Sequence, residues 1–324
     1  MQICLLALEN CMASSITGPW DIFTVAALEG QAPFSVQVVS PDGKPPVSFS
    51  GAPLLVTTAL GEGPRPDLIF IPVIHGTLTG LLENQALITR LREYSRQGTV
   101  IAAVCAGVFL AARTGILQGL RATTHWMLAR EFENQFPGVI LTPEKMIVDE
   151  GSVITAGGVF AYMDLSLYIV ARFSSRGLAS DLSRVLLIDP VRRSQMPYTA
   201  FEFNTSHTDT PILEVQQWLE DYRHTPVSVR EMADRALLGL RTFTRRFKAA
   251  TGETPQKYLQ RLRISRARTL LETTAQSVET IVLNTGYEDP SSLRRLFKKA
   301  TGLSPAAYRR RFGTEIWTDR LDKA

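Results

Sequence analysis

RRFKAATGETPQKY, at residues 245–258, and RLFKKATGLSPAAY, at residues 295–308, are two copies of one pattern separated by a constant offset of 50 residues. The similarity continues upstream, where SVREMADRALLGLRTF from Ser228 pairs with SVETIVLNTGYEDPSSL from Ser277. The second copy has one extra residue in the middle of this stretch. A repeat of this length covers a whole structural unit, so the same unit is predicted to occur twice.

Each copy predicts two short helices joined by a tight turn. In the second copy, Ser277 is suited to cap a helix that ends at Gly286. Asp289 and the residues after it begin another helix, which ends at Gly302. The corresponding helix of the first copy is predicted from about residue 240 to residue 250. Apolar residues recur at helical spacing in all of them, so each helix has one face for packing and one for solvent.

The outward face of the second helix in each copy is basic. A helix-turn-helix protein sets such a helix across a shorter apolar one, so that its exposed face enters the major groove of DNA. A basic helical face is also common on proteins that bind no nucleic acid, but two such faces in duplicated units favour DNA binding. The residues predicted to contact DNA are Arg241, Thr244, Arg245 and Lys248 in the first copy, and Ser291, Ser292, Arg294, Arg295 and Lys298 in the second.

Between the copies, YLQRLRISRARTLLETT at residues 258–274 predicts one long helix with an apolar stripe and a row of exposed arginines. Together with this helix, the repeated F-K-x-x-T-G-x-[ST]-P pattern resembles the DNA-binding domain of AraC-type transcription regulators. The resemblance implies an all-α domain of two helix-turn-helix units at residues 211–324. It also implies double-stranded promoter DNA and RNA polymerase as partners.

Charge is unevenly distributed along the chain. Residues 211–324 contain 21 Lys and Arg against 13 Asp and Glu, a net charge of +8, although the whole chain has a net charge of only +4. Such a basic region is expected of a domain that binds phosphates. The three cysteines suit neither a disulfide framework nor a zinc site, and no apolar run approaches the ~18 residues that cross a bilayer. We therefore expect a cytoplasmic protein without a metal, a cofactor or a membrane partner.

The first half of the chain alternates strand and helix signals. Strands are predicted at residues 3–8, 34–39, 67–72, 99–104 and 152–156, and helices from residue 18 and over residues 78–97, 108–117, 159–173 and 179–187. This alternation predicts an α/β domain with a mostly parallel, flavodoxin-like sheet and helices on both faces. Ligands bind such sheets at the carboxyl ends of the strands.

Cys105 stands at one of these strand ends and is followed by a small residue, a glycine and a helix. A side chain on such a turn projects into the crevice beside the start of a helix, which favours a thiolate and suits a nucleophile. The stretches IPVIHG from Ile71, VCAGVFLAARTGILQG from Val104 and VITAGGVFAYMDL from Val153 resemble the class I glutamine-amidotransferase-like superfamily. They are most similar to the ThiJ/PfpI-type sensor domains that precede AraC-type DNA-binding domains, which implies a small-molecule effector.

The candidate ligand-binding residues around this crevice are Cys105, His75, Gly76, Gly107, His125 and Glu9. Two departures from the enzymes of the superfamily argue against catalysis. Ala106 follows the cysteine where those enzymes commonly have a histidine, and Ser15 stands where the hydrolase branch has a glutamate. No catalytic residue is therefore assigned. A cysteine-dependent amidohydrolase or peptidase-like enzyme attached to a DNA-binding module stays open as the alternative.

The chain is thus predicted to have three parts. Residues 1–190 form an amidotransferase-like domain that senses a ligand and forms a homodimer, since two linked DNA-binding domains gain affinity through raised effective concentration. Residues 191–210 lose periodicity and form a linker, and residues 211–324 bind DNA. The predicted function is that of a ligand-responsive, sequence-specific transcription regulator.

Overall fold

In the computed structural model of the protein, the predicted alternation of strands and helices occupies the first of two compact units, Met1–Gln195 and Met196–Ala324. The structure describes residues 1–30, 32–189, 192–201, 203–287 and 289–314. The division falls at Gln195, inside the segment 191–210 that the sequence predicts as a linker. None of the helices in the described residues combines the length and the apolar character needed to cross a membrane.

The first unit is built on a seven-stranded sheet with the strand order β3-β2-β1-β4-β5-β9-β8. Its pairings are parallel except that of β8 with β9, so the mostly parallel sheet is confirmed. A short pair, β6 with β7, lies apart from it. The strands are β1 (Gln2–Leu6), β2 (Ser35–Ser40), β3 (Thr58–Ala59), β4 (Leu68–Ile71), β5 (Val100–Val104), β6 (Arg121–Ala122), β7 (Ile140–Leu141), β8 (Ile147–Asp149) and β9 (Val153–Ala156).

The central strands are covered on both faces. All residues of β4 and β9 are buried, which is possible only when neighbouring side chains on opposite faces of the sheet both meet packed elements. The helices of this unit are α1 (Ser14–Gly30), α2 (Thr79–Glu83), α3 (Gln85–Arg96), α4 (Gly107–Arg113), α5 (Ala129–Gln135), α6 (Ala161–Phe173) and α7 (Arg176–Val185).

Several helices differ from the prediction: α4 ends at Arg113 rather than at residue 117, and α7 begins at Arg176 rather than at residue 179. Helix α1 begins at Ser14 rather than at residue 18, and it tolerates Pro19 in its second turn. Residues 78–97 form two helices rather than one, because Asn84 leaves the helical region with φ −70° and ψ 87°. The side chain of Asn84 then caps α3 by accepting the Leu87 N–H at 3.0 Å.

The second unit is helical and contains the two predicted helix pairs, α9 with α10 and α12 with α13. Its described helices are α8 (Thr210–Tyr222), α9 (Val229–Arg235), α10 (Leu240–Thr251), α11 (Pro255–Thr273), α12 (Val278–Leu283), α13 (Pro290–Thr301) and α14 (Pro305–Phe312), and a 3₁₀ turn lies at Met196–Tyr198. Helix α11 is the predicted long helix between the pairs.

Helix α11 belongs to two separate hydrophobic cores. Tyr258, Leu259 and Leu262 pack into the core of the first pair, whereas residues 264–271 contribute to the core of the second. At about 100° per residue, the mean directions of the two sets differ by roughly 140°, although Leu259 and Leu270 lie about 20° apart. The apolar residues predicted for this helix are all buried, and they divide between the two cores. One rigid helix carries both helix pairs.

The repeated T-G-x-[ST]-P motif ends one helix and begins the next. Gly252 and Gly302 end α10 and α13 with φ values of 82° and 74°. Thr254 and Ser304 then cap α11 and α14 by accepting an N–H from three residues ahead, and a proline follows at the first helical position. The motif occurs twice because the same helix junction occurs twice.

The turn inside each helix pair requires a left-handed residue, and the two copies provide it differently. Leu237 has φ 54° in the first copy, and Gly286 has φ 74° at the equivalent place in the second. Leu237 is 92% exposed, so burial of its side chain does not offset the backbone cost. A Cβ atom on Gly286 would lie 2.7 Å from the carbonyl oxygen of Arg223, so that turn has no room for a side chain.

These two turns are expected to respond in opposite directions to substitution. Leu237→Gly should raise the free energy of unfolding by up to about 1 kcal/mol, because a left-handed backbone costs a non-glycine residue about that much. Gly286→Ala should lower it by more than about 1 kcal/mol, since strain and a backbone clash add together. Urea unfolding of the two variants measures both effects. A destabilised Leu237→Gly protein would contradict this account of the turn.

Candidate ligand cavity and nucleic-acid interface

The sharp turn predicted at Cys105 is present, directly after β5. Cys105 has φ 55°, and its backbone is held from two directions. Its N–H donates to the Ala156 carbonyl at 2.8 Å, and its carbonyl accepts the Thr124 hydroxyl at 2.7 Å. Helix α4 can start immediately afterwards because Gly107 has no side chain: a Cβ there would lie 2.3 Å from the Pro72 carbonyl oxygen.

Cys105 opens into a cavity of about 1060 Å³. Four predicted ligand-binding residues line it, namely Cys105, His75, Gly76 and His125. Glu9 and Gly107 are not among the residues that line it, and their role in ligand binding stays a prediction. The Glu9 carboxylate instead accepts the Val47 N–H at 3.1 Å, and Gly107 is buried where α4 meets Pro72.

Several cavity residues were not predicted, because no motif or periodicity marks them. The ring of Phe49, from the loop before β3, stacks on His75 with 3.8 Å between centroids and 24° between planes. The remaining wall is largely apolar, with three charged side chains. Its residues include Met12, Val73, Leu78, Leu82, Met127, Leu128, Phe136 and Val159, with Glu83, Arg113 and Glu131.

The thiol of Cys105 is protonated at neutral pH. Burial raises its pKa to about 11, and the hydrogen bond from the Ala106 N–H offsets only part of that effect. Burial therefore opposes the thiolate that the start of α4 was expected to favour. A thiol of this kind is a weak nucleophile.

Neither cavity histidine is placed as a base for this thiol. In the described residues, no hydrogen bond joins Cys105 to a histidine. The Nδ1 atom of His125 accepts the Met127 N–H at 3.2 Å, and burial lowers the pKa of this imidazole, which keeps it neutral. His75 is exposed and stacks on Phe49. The described residues thus contain no hydrogen-bonded cysteine–histidine pair that would support the enzymatic alternative.

Ser15, at the position of the glutamate in the hydrolase branch, has a structural role. It is completely buried. Its hydroxyl donates to the Met12 carbonyl at 2.6 Å and accepts the Val73 N–H at 3.1 Å. It thereby joins the start of α1 to the residues after β4 and satisfies two backbone groups beside the cavity.

One wall of the cavity is tied to Gln195, the last residue of the first unit. Trp126 lies between the lining residues His125 and Met127, and its N–H donates to Gln195 Oε1 at 3.2 Å. Gln195 Nε2 donates to the Thr124 carbonyl at 2.8 Å, and it also contacts Thr123, Pro143 and Lys145. Gln195 is buried, and the sequence assigned it to the linker.

The predicted nucleic-acid surface is formed by α10 and α13. Within the described part of the chain, exposed basic side chains without an ion pair are Arg241, Arg245 and Lys248 on α10, and Arg295, Lys298 and Lys299 on α13. Phe243, Phe247, Leu293 and Phe297 face the cores on the opposite sides of the same helices.

The other four predicted contact residues also lie on α10 and α13. Thr244 donates to the Leu240 carbonyl at 2.9 Å, and Arg294 pairs with Glu279 at 2.7 Å. Ser291 and Ser292 begin α13, where their N–H groups bond to the Asp289 cap. The guanidinium of Arg294 thus already has an acidic partner on α12.

The comparisons with known proteins match both halves of the chain. Residues 1–172 match the DJ-1/PfpI family, and residues 232–311 match a helix-turn-helix domain. The HTH-type transcriptional regulator CdhR of Pseudomonas aeruginosa is 28% identical over 271 residues, which are 83% of this chain and 80% of that protein. An isonitrile hydratase of Pseudomonas putida is 30% identical over 168 residues, which are 52% of this chain and 69% of that enzyme.

Solved structures show the same fold. A crystal structure of an AraC family transcriptional regulator from Pseudomonas putida has a TM-score of 0.52 at 22% identity, and the match covers 57% of this chain and 98% of that one. The two resemblances recognised in the sequence, to the amidotransferase-like sensor domains and to AraC-type regulators, are thus confirmed.

The protonation state of Cys105 has a direct chemical test. Alkylation of this thiol by iodoacetamide should be slow at pH 7 and should rise with pH up to at least pH 10, because a pKa of about 11 leaves little thiolate below that value. Mass spectrometry of the labelled peptide separates Cys105 from Cys4 and Cys11, and Cys105→Ser is the blank. A rate that reaches its plateau below pH 8 would show an activated cysteine.

Proposed function

The chain belongs to the DJ-1/PfpI family and carries an AraC-type helix-turn-helix region, and we propose from this that a small molecule bound in the Cys105 cavity controls how the protein binds promoter DNA. The protein is a helix-turn-helix transcriptional regulator with a DJ-1/PfpI domain. The observation that carries the proposal is the presence in one chain of a large, mostly apolar cavity and two basic helices.

The cavity supports binding of an organic molecule rather than of an ion. Its volume of about 1060 Å³ is at the upper end of the range for small-molecule sites, about 300–1,000 Å³. Apolar walls favour the body of a ligand, while His125 and the charged side chains Glu83, Arg113 and Glu131 offer a few directional contacts. A metabolite with an apolar part and a polar or charged group has the matching chemistry.

A structural change in the cavity wall would reach the start of the second unit through few residues. A ligand that contacts His125 or Met127 also affects Trp126, which lies between them and donates its N–H to Gln195. Gln195 is directly followed by Met196, the first residue of the helical unit. We therefore assign to Gln195 the role of passing the effect of the ligand along the chain.

The second candidate function is enzymatic, and the similarity to an isonitrile hydratase favours it. Against it stand the raised pKa of the Cys105 thiol, the absence of a hydrogen-bonded histidine in the described residues, and the structural role of Ser15. We propose that the protein is not an enzyme. Turnover of amide, ester or isonitrile substrates that is lost in Cys105→Ser would restore the enzymatic alternative.

The partners proposed with this function are promoter DNA, a small-molecule effector, a second copy of the chain and RNA polymerase. Dimerisation through residues 1–190 would place two DNA-binding regions on one duplex and raise their effective concentration. We infer a cytoplasmic location, since promoter DNA and RNA polymerase lie in that compartment.

Individual residues of the two basic helices are expected to make different contributions to DNA affinity and specificity. Arg295→Ala should cost about 1–3 kcal/mol of binding free energy and relax the preference at one base pair, as for an arginine that bonds to a guanine edge. Lys298→Ala should weaken all duplexes alike and reduce the salt dependence by about one ion, as for a phosphate contact. Fluorescence anisotropy with a duplex selected from a random library measures both.

The control is Arg176→Ala, which removes the same charge from an exposed position on α7. It should change DNA affinity very little. Equal binding of the wild-type protein to the selected duplex and to random DNA at moderate salt would contradict sequence-specific binding.

Effector binding is tested by a thermal-shift screen of metabolites, because a ligand of the folded state raises the apparent stability by mass action. A hit should change DNA affinity in the wild-type protein and should bind at least about tenfold more weakly to Phe49→Ala, which loses an aromatic wall of the cavity. Leu55→Ala, exposed and outside the cavity, is the control. A hit that binds both variants equally occupies another site.

Gln195→Ala distinguishes the binding of the effector from the transmission of its effect to the DNA-binding region. This variant should keep effector binding and DNA binding, but the effect of one ligand on the affinity for the other should fall. Gln217→Ala, on the exposed face of α8, is the matched control. Unchanged coupling in Gln195→Ala would exclude the route through this residue.

A further inference from the structure

Residues 196–201 and 203–209, here called the strap, precede the first helix of the second unit and pack across that unit. At the N-terminal end of the strap, the carbonyls of Met196 and Thr199 accept hydrogen bonds from the guanidinium of Arg268 on α11, the former at 3.1 Å. Arg268 is 7% exposed. A buried arginine needs such partners, because an unpaired charge in the interior is costly.

The same end of the strap also contacts the last helix of the second helix-turn-helix unit. The Tyr198 hydroxyl accepts a hydrogen bond from Arg311 at 2.6 Å, and its ring packs edge-on against Phe312 with 5.5 Å between centroids. Phe201 packs on the hydrophobic core of the second helix pair. The N-terminal half of the strap therefore belongs to the second helix pair.

The C-terminal half of the strap belongs to the first helix pair. Phe203 packs on the first core, with its ring 4.9 Å from that of Tyr258. Asn204 Nδ2 donates to the Ala250 carbonyl at the end of α10 at 2.8 Å. Asp209 holds Arg246 of α10 through two hydrogen bonds of 2.7 and 2.9 Å.

The strap changes from one core to the other within two residues. Phe201 packs on the second core and Phe203 on the first. The guanidinium of Arg261 lies 4.8 Å from the Phe201 ring and 5.9 Å from the Phe203 ring, and that of Arg268 lies 4.9 Å from Phe201. The Phe201 ring thus contacts two cationic groups of α11, and for the buried Arg268 this contact stabilises a charge in a site with little water.

From these contacts we propose that the strap fixes the two helix-turn-helix units relative to each other, with Phe201 and Arg268 as positioning residues. Helix α11 packs into the two cores at different points along its length, and the strap joins the same two cores by a second path. A body held at two places bends less than one held at a single helix. The distance and rotation between α10 and α13, and hence the spacing of the two DNA segments that they contact, then depend on the strap.

The proposal deepens the proposed function and rests on it, since it assumes that both helix pairs bind one duplex. It also moves the start of the functional DNA-binding region from residue 211 to Met196. Positioning residues act through spacing rather than through contact with a base. Loss of the strap contact should therefore affect duplexes that carry both half-sites and leave single half-sites almost unchanged.

The test compares full-length wild-type protein with Phe201→Leu and Phe201→Tyr on three duplexes. One carries both half-sites of a selected sequence, one carries an extra base pair between them, and one has the second half-site scrambled. Wild type should lose at least tenfold in affinity when the base pair is inserted. Phe201→Leu, which keeps the apolar volume and loses the aromatic face, should lose less than threefold. Phe201→Tyr keeps the ring and should behave as wild type.

Val229→Ala is the control, because it trims the first core at a residue outside the strap. It should lower all affinities in proportion and keep the wild-type spacing dependence. The strap proposal is overturned if Phe201→Leu shows the spacing dependence of wild type, or if the loss in Phe201→Leu is equal on whole and half sites. If wild type itself does not distinguish the selected duplex from random DNA, the proposed function fails first, and the strap proposal fails with it.

Discussion

The packing of α11 into two cores at once is the constraint on which the second unit depends. Its 19 residues span about 28 Å, and its apolar residues change from one core to the other near the middle. Each helix pair is too small to bury a large core by itself, so each packs on one half of this helix. Because both pairs share α11, they form one structure, in which the distance and orientation between the two basic helices are defined.

Around Cys105, desolvation is the dominant physical effect. The turn that projects this side chain is held by Thr124 and Ala156, and it has the strained backbone that a nucleophile would have in an enzyme. What differs is the surroundings, because burial raises the pKa of the thiol and no described histidine or carboxylate lowers it. A turn that suits a nucleophile thus carries a thiol with a raised pKa, and a cavity lies beside it.

The sequence predicted those features that repeat or follow a period. The duplicated T-G-x-[ST]-P motif located both helix junctions, because a left-handed glycine and a capping hydroxyl are needed at the same places in each copy. Buried strands such as β4 and β9 were recognisable as short apolar runs between turns. Phe49 and Gln195 could not be found in this way. Their roles depend on contacts with residues distant in the sequence, and neither lies in a periodic segment.

Ser15 bears on how such a regulator and an enzyme can be related by descent. Its hydroxyl satisfies one carbonyl and one N–H in a site that is closed to water. A glutamate placed there would need more space and would leave a different set of groups to satisfy, so it would cost stability before it could help a cysteine. The cysteine would in turn gain nothing from a carboxylate alone while its thiol stays buried. Each change is unfavourable without the others, so a regulator and an enzyme built on this fold are separated by changes that must occur together.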